Sequence, residues 1–201
     1  MSTFRAVLGL CAMVAALAQA TPAAAQFSDA YNFIKAVKDK DVGKARDFLD
    51  KPGNTVVNVR EGDSGDAALH IVVRRRDAPW LGLLLQANAD ANVRDRAGNT
   101  PLLLASVSGF AEGVRILLLV RAQVDLKNNS GETPLIKAVQ ARDAGIAKML
   151  LEAGADPDVT DSAAGYSARD YALQDKRGGT LARLLKDAPK RQSRPQQGPQ
   201  L

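Results

Sequence analysis

The sequence predicts an all-α fold, a solenoid of about four to five helix-pair repeats closed by a cap at each end. Three observations carry this. Glycines recur at Gly65, Gly98, Gly131 and Gly165, spaced 33, 33 and 34 residues apart, and the text after them recurs as GDAALHIVV, GNTPLLLAS, GETPLIKAV and GYSARDYAL. After each of the first three glycines comes a leucine pair or triple (Leu83-Leu84-Leu85, Leu117-Leu118-Leu119, Leu150-Leu151), then a polar step with an Asp: ANADAN, RAQVDL and AGADPD. Hydrophobic residues make up 46% of the chain but aromatics only 4%, so the core must be aliphatic, which suits closely packed helices. A single helix pair cannot bury its own apolar face, and such units must therefore stack.

Taken in order, residues 1–25 have the three-part layout of a cleavable export signal. Arg5 is followed by an uncharged apolar run over residues 6–18, then a polar break at Gln19, Thr21 and Pro22, then Ala23, Ala24 and Ala25. Cleavage is expected after Ala25, with Ala20 as the rival site. The run has 13 residues, against the roughly 20 a membrane span needs, so no membrane anchor is expected. Cys11, the sole cysteine, is preceded by Leu10 and reads as part of the apolar run. The mature chain then has no thiol, and export without disulfides suits a periplasmic or secreted protein with a self-sufficient core.

The repeat domain is expected over residues 27–187, with units near 27–60, 61–94, 95–127, 128–160 and 161–187. Residues 29–39 and 41–51 read as a helix pair serving as the first cap. In the unit at Gly65, Ala67 and Ala68 stand where later units have Thr-Pro, so its first helix is expected to be poorly capped and the unit the weakest. Pro79 falls near the start of its second helix, where it is tolerated. Thr100 and Thr133 can cap the first helices of the next two units, with Pro101 and Pro134 in the first turn, where no amide hydrogen is missed. Leu102 and Ala105, like Leu135 and Ala138, fall at helical spacing toward a neighbouring unit. Asn88 and Gly154 are suited to end second helices in left-handed geometry. In the last unit Ser167 replaces Thr, Ala168 replaces Pro and Arg169 takes a leucine position, so this face is expected to meet no further repeat. Residues 188–201 are rich in Pro and Gln, hold Lys190, Arg191 and Arg194 without an acid, and read as a flexible basic tail.

The period, the Thr-Pro-Leu start, the leucine pair and the Gly-Ala-Asp end together resemble the ankyrin repeat, and the resemblance covers nearly all of the mature chain. It implies that His70 sits where the family's imidazole bonds backbone between repeats. It also implies that turn tips and first helices line a concave groove that meets a partner. Carried over, the tips hold Asp63, Asp66, Arg96, Asn99, Asn129, Glu132 and Tyr166. The first-helix ends hold Arg74, Arg75, Val107, Ser108, Gln140 and Ala141. Arg74 and Arg75 are expected near Arg94 and Arg96, forming a basic patch that docks an acidic partner surface; the alternative is that these arginines only favour a helix C-terminus.

Chemistry beyond recognition finds little support. His70 is the only histidine, and no Gly-x-Ser-x-Gly elbow, phosphate loop or thiolate site accompanies it. Asp156, Asp158 and Asp161 lack the glycine and closing Glu of a calcium loop and read as a solvated turn. Trp80 beside the leucine triple reads as core. No metal, cofactor or catalytic residue is expected. The chain carries a net charge of +5, but setting aside Arg5 and the +3 of the last fourteen residues leaves a body near neutrality, which argues against nucleic acid. The expected function is a monomeric, non-catalytic protein-binding module, the alternative an accessory subunit of an exported enzyme.

Overall fold

The computed structural model describes residues 23–51, 53, 55–175 and 179–189. The expectations for residues 1–22, Cys11 included, and for the tail from Lys190 lie outside the described residues. Within them the expected all-α solenoid is observed as five helix pairs. These are α1 (Ala23–Lys38) with α2 (Val42–Leu49), α3 (Ala68–Arg74) with α4 (Ala78–Gln86), α5 (Pro101–Val107) with α6 (Ala111–Leu119), α7 (Pro134–Gln140) with α8 (Ala144–Glu152), and α9 (Ala168–Gln174) with α10 (Gly179–Asp187). The expected cleavage point after Ala25 falls in the first turn of α1. First helices pack one after another from α1 through α3, α5 and α7 to α9, and second helices do the same from α4 to α10.

Local chemistry explains each boundary. Thr100 Oγ1 accepts the Leu103 amide and Thr133 Oγ1 the Ile136 amide, both at 3.2 Å, ahead of Pro101 and Pro134. Asp41, Asp77 and Asp143 cap α2, α4 and α8 in the same way through the amides of Lys44, Trp80 and Ile146. The chain leaves its helices through left-handed residues: Lys40, Arg76, Gly109 and Arg142 after first helices, Asn88, Arg121 and Gly154 after second ones. Four of these carry long side chains, which the sequence did not flag.

Leu102, Ala105, Leu135 and Ala138 are fully buried between repeats, and Trp80 is buried in the core as expected. Phe110 starts α6 without a side-chain cap. Its buried ring instead lies where a Cβ on Gly113 would stand, 2.2 Å from Cδ1, so only glycine fits there.

The tips are joined by a backbone ladder. The amides of Arg96, Asn129 and Ser162 donate to the carbonyls of Ser64, Ala97 and Ser130 at 3.1, 2.9 and 2.9 Å. Further round each repeat, Asn58, Asn92 and Asp125 side chains accept the amides of Asp90, Gln123 and Asp156, a side-chain latch repeated at the first three junctions.

One expectation is corrected and two are refined. The unit at Gly65 does lack a side-chain acceptor at Ala67. His70 Nδ1, however, accepts the Ala67 amide at 3.0 Å, so that start has a different lock. Arg169 meets no further repeat among the described residues, and its guanidinium instead spans Asp158 and the carbonyls of Leu185 and Ala188, holding the C-terminus of α10 against α9. Asp161 is not in a solvated turn but buried, accepting the amides of Ala163, Ala164 and Gly165 and the hydroxyl of Tyr171.

Candidate interaction surface

The face formed by the turn tips and first helices carries polar side chains that brace each tip and at two junctions join one repeat to the next. At one end Arg74 pairs with both Asp66 and Asp95, the latter at 3.0 Å. Asp95 accepts the backbone and side-chain amides of Asn99. Asn128 Nδ2 donates to Asn99 Oδ1 across the junction and to Glu132 Oε2 within its own tip. Lys137 Nζ donates to Glu132 Oε1 and Gln140 Oε1. At the far end Tyr171 donates to Asp161 at 2.5 Å, and its ring meets Tyr166 edge-on.

The charge states follow from these contacts. Burial alone would raise the Glu132 pKa, but hydrogen bonds from Asn128 and Lys137 outweigh it and hold the carboxyl below its ordinary value. The Tyr171 hydroxyl keeps Asp161 ionised to lower pH than usual, and the same bond raises the Tyr171 pKa. His70 lies under this face. With Nδ1 accepting from Ala67, the ring proton sits on Nε2, which donates to Asn99 O at 3.1 Å in the next repeat. Burial depresses its pKa, so it is a neutral strut with both nitrogens used and no lone pair left to act as a base.

The expected basic patch is assembled only in part. Arg74 reaches the face but spends its charge on two carboxylates. Arg75 turns away: its guanidinium stacks over Trp80, bonds Val37 O and pairs with Asp77, because the other side of α3 packs against α1 and α4. Arg94 and Arg96 lie along the tips, where they donate to the carbonyls of Lys127 and Gly62, contacts that leave their charge uncompensated. Asn129 Nδ2 donates to Arg96 O. Ser108 Oγ donates to Ala105 O and is half-buried, whereas Val107, Gln140, Ala141 and Tyr166 are exposed. Sequence reasoning missed Asp95, Asn128 and Lys137, which carry the middle of the network. Asp95, Asn128 and Asp161 are 33 residues apart, so the period itself was the signal that could have found them.

Among the described residues no three His, Cys, Asp or Glu side chains gather to hold a metal ion. No described helix is long and apolar enough to cross a membrane. The polar atoms of this face are aimed at one another, an arrangement suited to holding a fixed surface.

The family description "Ankyrin repeats (3 copies)" matches residues 23–128 and 69–161. Among similar curated proteins, human 2-5A-dependent ribonuclease is 34% identical over 42% of this chain and 11% of its own length. Mouse protein phosphatase 1 regulatory subunit 12A is 40% identical over 31% of the chain and 6% of its own. Neurogenic locus notch homolog protein 1 of Xenopus laevis is 37% identical over 62% of the chain and 5% of its own. The chain thus spans about a tenth or less of these relatives, and the likeness is to their repeats.

Proposed function

The chain belongs to the ankyrin-repeat family, whose repeats mediate protein–protein interaction, and from that premise we propose that it is a non-catalytic module binding another protein through its tips and first helices. The observation that carries this reading is the polar network from Arg74 to Tyr171. Two of its contacts, Arg74 with Asp95 and Asn128 with Asn99, cross from one repeat to the next and the others brace single tips, so the exposed Val107, Gln140 and Tyr166 are presented on a rigid face. Binding then costs little ordering of the module itself.

Among the described residues, positive charge at the tips that bonds only carbonyls comes from Arg94, Arg96 and Lys127, and these are the groups that would meet acidic side chains of the partner. Arg74→Glu is a poor probe, because it would set a third carboxylate against Asp66 and Asp95. The better test is crosslinked capture with wild-type chain, the Val107→Arg/Gln140→Arg variant and Arg96→Glu. A partner held by wild type and weakened at least tenfold by the double variant supports the reading. Undiminished capture by both variants removes it.

We also propose that the module works outside the cytoplasm, in the periplasm or secreted, on the strength of the Arg5, apolar-run and Ala-x-Ala layout of residues 1–25. Intact mass of the protein recovered from the periplasmic fraction tests this: a chain beginning at Gln26 is expected, and a cytoplasmic chain retaining residues 1–25 overturns it.

A further inference from the structure

The opposite face, built from the second helices, carries a corner that the repeat does not require. Leu119 is 77% exposed and Val120 47%, at the C-terminal end of α6. Matching positions in the flanking repeats are Gln86 and Ala87 at the end of α4, and Glu152 and Ala153 at the end of α8. Arg121 follows with φ +60°, where the flanking repeats place Asn88 and Gly154. A long side chain in that left-handed conformation is disfavoured relative to glycine or asparagine. Three consecutive departures from the repeat pattern, two apolar and exposed and one cationic and strained, therefore share one corner.

The surroundings are cationic. Arg115 stands one turn before Leu119 on α6 and lines a shallow groove with Leu118, Leu119, Met149 and Glu152. A second groove shares Glu152 and runs on past Arg183, Leu184 and Asp187 to Pro189, so each groove sets an arginine beside a carboxylate. Over residues 111–121, 144–153 and 179–189, five basic side chains stand against three acidic ones, a net +2. Residues 6–189 carry a net +1. The rest of that stretch is thus slightly negative, and the excess positive charge lies in the segments that include the exposed leucine.

We propose that this corner docks the protein on an anionic phospholipid surface, with Leu119 and Val120 entering the headgroup–acyl boundary while Arg115, Arg121 and Arg183 meet lipid phosphates. An apolar pair projecting from a cationic rim matches the two attractions that hold peripheral proteins on membranes. The tips and first helices remain free, so the proposal stands independently of partner binding there.

The test is sedimentation of the full chain with vesicles of phosphatidylcholine alone and of phosphatidylcholine mixed with phosphatidylglycerol. The variant Leu119→Gln/Val120→Ala/Arg121→Asn writes the residues of the preceding repeat into this corner and so preserves the fold, which circular dichroism checks. Wild type is expected to bind the mixed vesicles, to bind phosphatidylcholine at least tenfold more weakly and to be released by salt; the variant should lose about tenfold or more. No binding to the mixed vesicles overturns the proposal. Binding that the folded variant retains in full also overturns it, assigning lipid contact to the apolar run of residues 6–18 or to the basic tail. Loss of an acidic protein partner by the variant, with neither vesicle bound, overturns it in favour of a protein ligand.

Discussion

His70 and the tip glycines show how single residues are set by the neighbouring repeat. His70 joins two repeats as a neutral ring, and Leu103 and Ile136 occupy its position in the next two units. Replacing it by leucine leaves the Ala67 amide unpaired and is expected to cost about 2 kcal/mol by urea unfolding near neutral pH. Its depressed pKa also makes stability depend on pH. The unfolded imidazole, at its ordinary value of 6.5, takes up a proton more readily than the folded one. Stability from this group is therefore complete above about 6.5 and is lost as pH falls toward the folded pKa. The slope of stability against pH just below 6.5 should be shallower in His70→Leu, and an unchanged slope would refute the assignment. At Gly131 a Cβ would stand 2.6 Å from Ser162 N and 2.3 Å from its Oγ, at φ +75°, whereas Gly165 has φ +69° but open space around it. Gly131→Ala should thus cost about 3 kcal/mol and Gly165→Ala only about 1 kcal/mol, the strain without the clash. Equal melting temperatures for the two variants would contradict the ladder of tips.

Among elements, the second helices differ mainly in how they end. α8 closes on Gly154, α4 on Asn88 and α6 on Arg121, all in left-handed geometry. Arg121→Gly should relieve about 1 kcal/mol and raise the melting temperature by about 2–4 °C, read by calorimetry. A drop instead would mean that the Arg121 side chain contributes to the fold through contacts. At the C-terminal pair, Arg169 bridges Asp158 and the last carbonyls of α10, complementing the negative end of that helix. Arg169→Leu restores the residue type expected from the repeat, yet it should destabilise the protein and loosen α10, seen as faster amide exchange over residues 181–187.

For the whole molecule, stability is a sum over stacked units, each covering the apolar side of its neighbour. Deleting α9 and α10 would uncover the fully buried Leu135, Ile136 and Leu150 of the preceding pair. The truncated chain should bind a hydrophobic dye, aggregate at lower temperature and unfold with a smaller dependence on denaturant concentration. A shortened chain that melted like the full one would mean that the last pair is an ornament. The two broad faces also differ in kind. The tips and first helices are polar and braced by carboxylates, amides and Lys137, while the second helices toward α10 carry the exposed leucine together with Arg115 and Arg183.

Legible in the residues alone were the all-α class, the period, the Thr-Pro starts, the left-handed stops at Asn88 and Gly154, and the burial of Leu102, Ala105, Leu135 and Trp80. Each of these is a local matter: a cap, a fixed φ or helical spacing acts within one turn of the chain, so the pattern states it directly. What the tertiary structure decided is where long polar side chains go. Arg74 and Arg75 are adjacent in sequence, yet one faces Asp66 and Asp95 and the other Trp80 and Val37 O, because a helix turns about 100° per residue and different neighbours pack on each side. Asp161 became a buried acceptor and Arg169 a brace for α10 only because Tyr171 and the Leu185 carbonyl arrive from other elements. Long charged side chains have several partners within reach, and which partner they take is set by what the stacked repeats bring close.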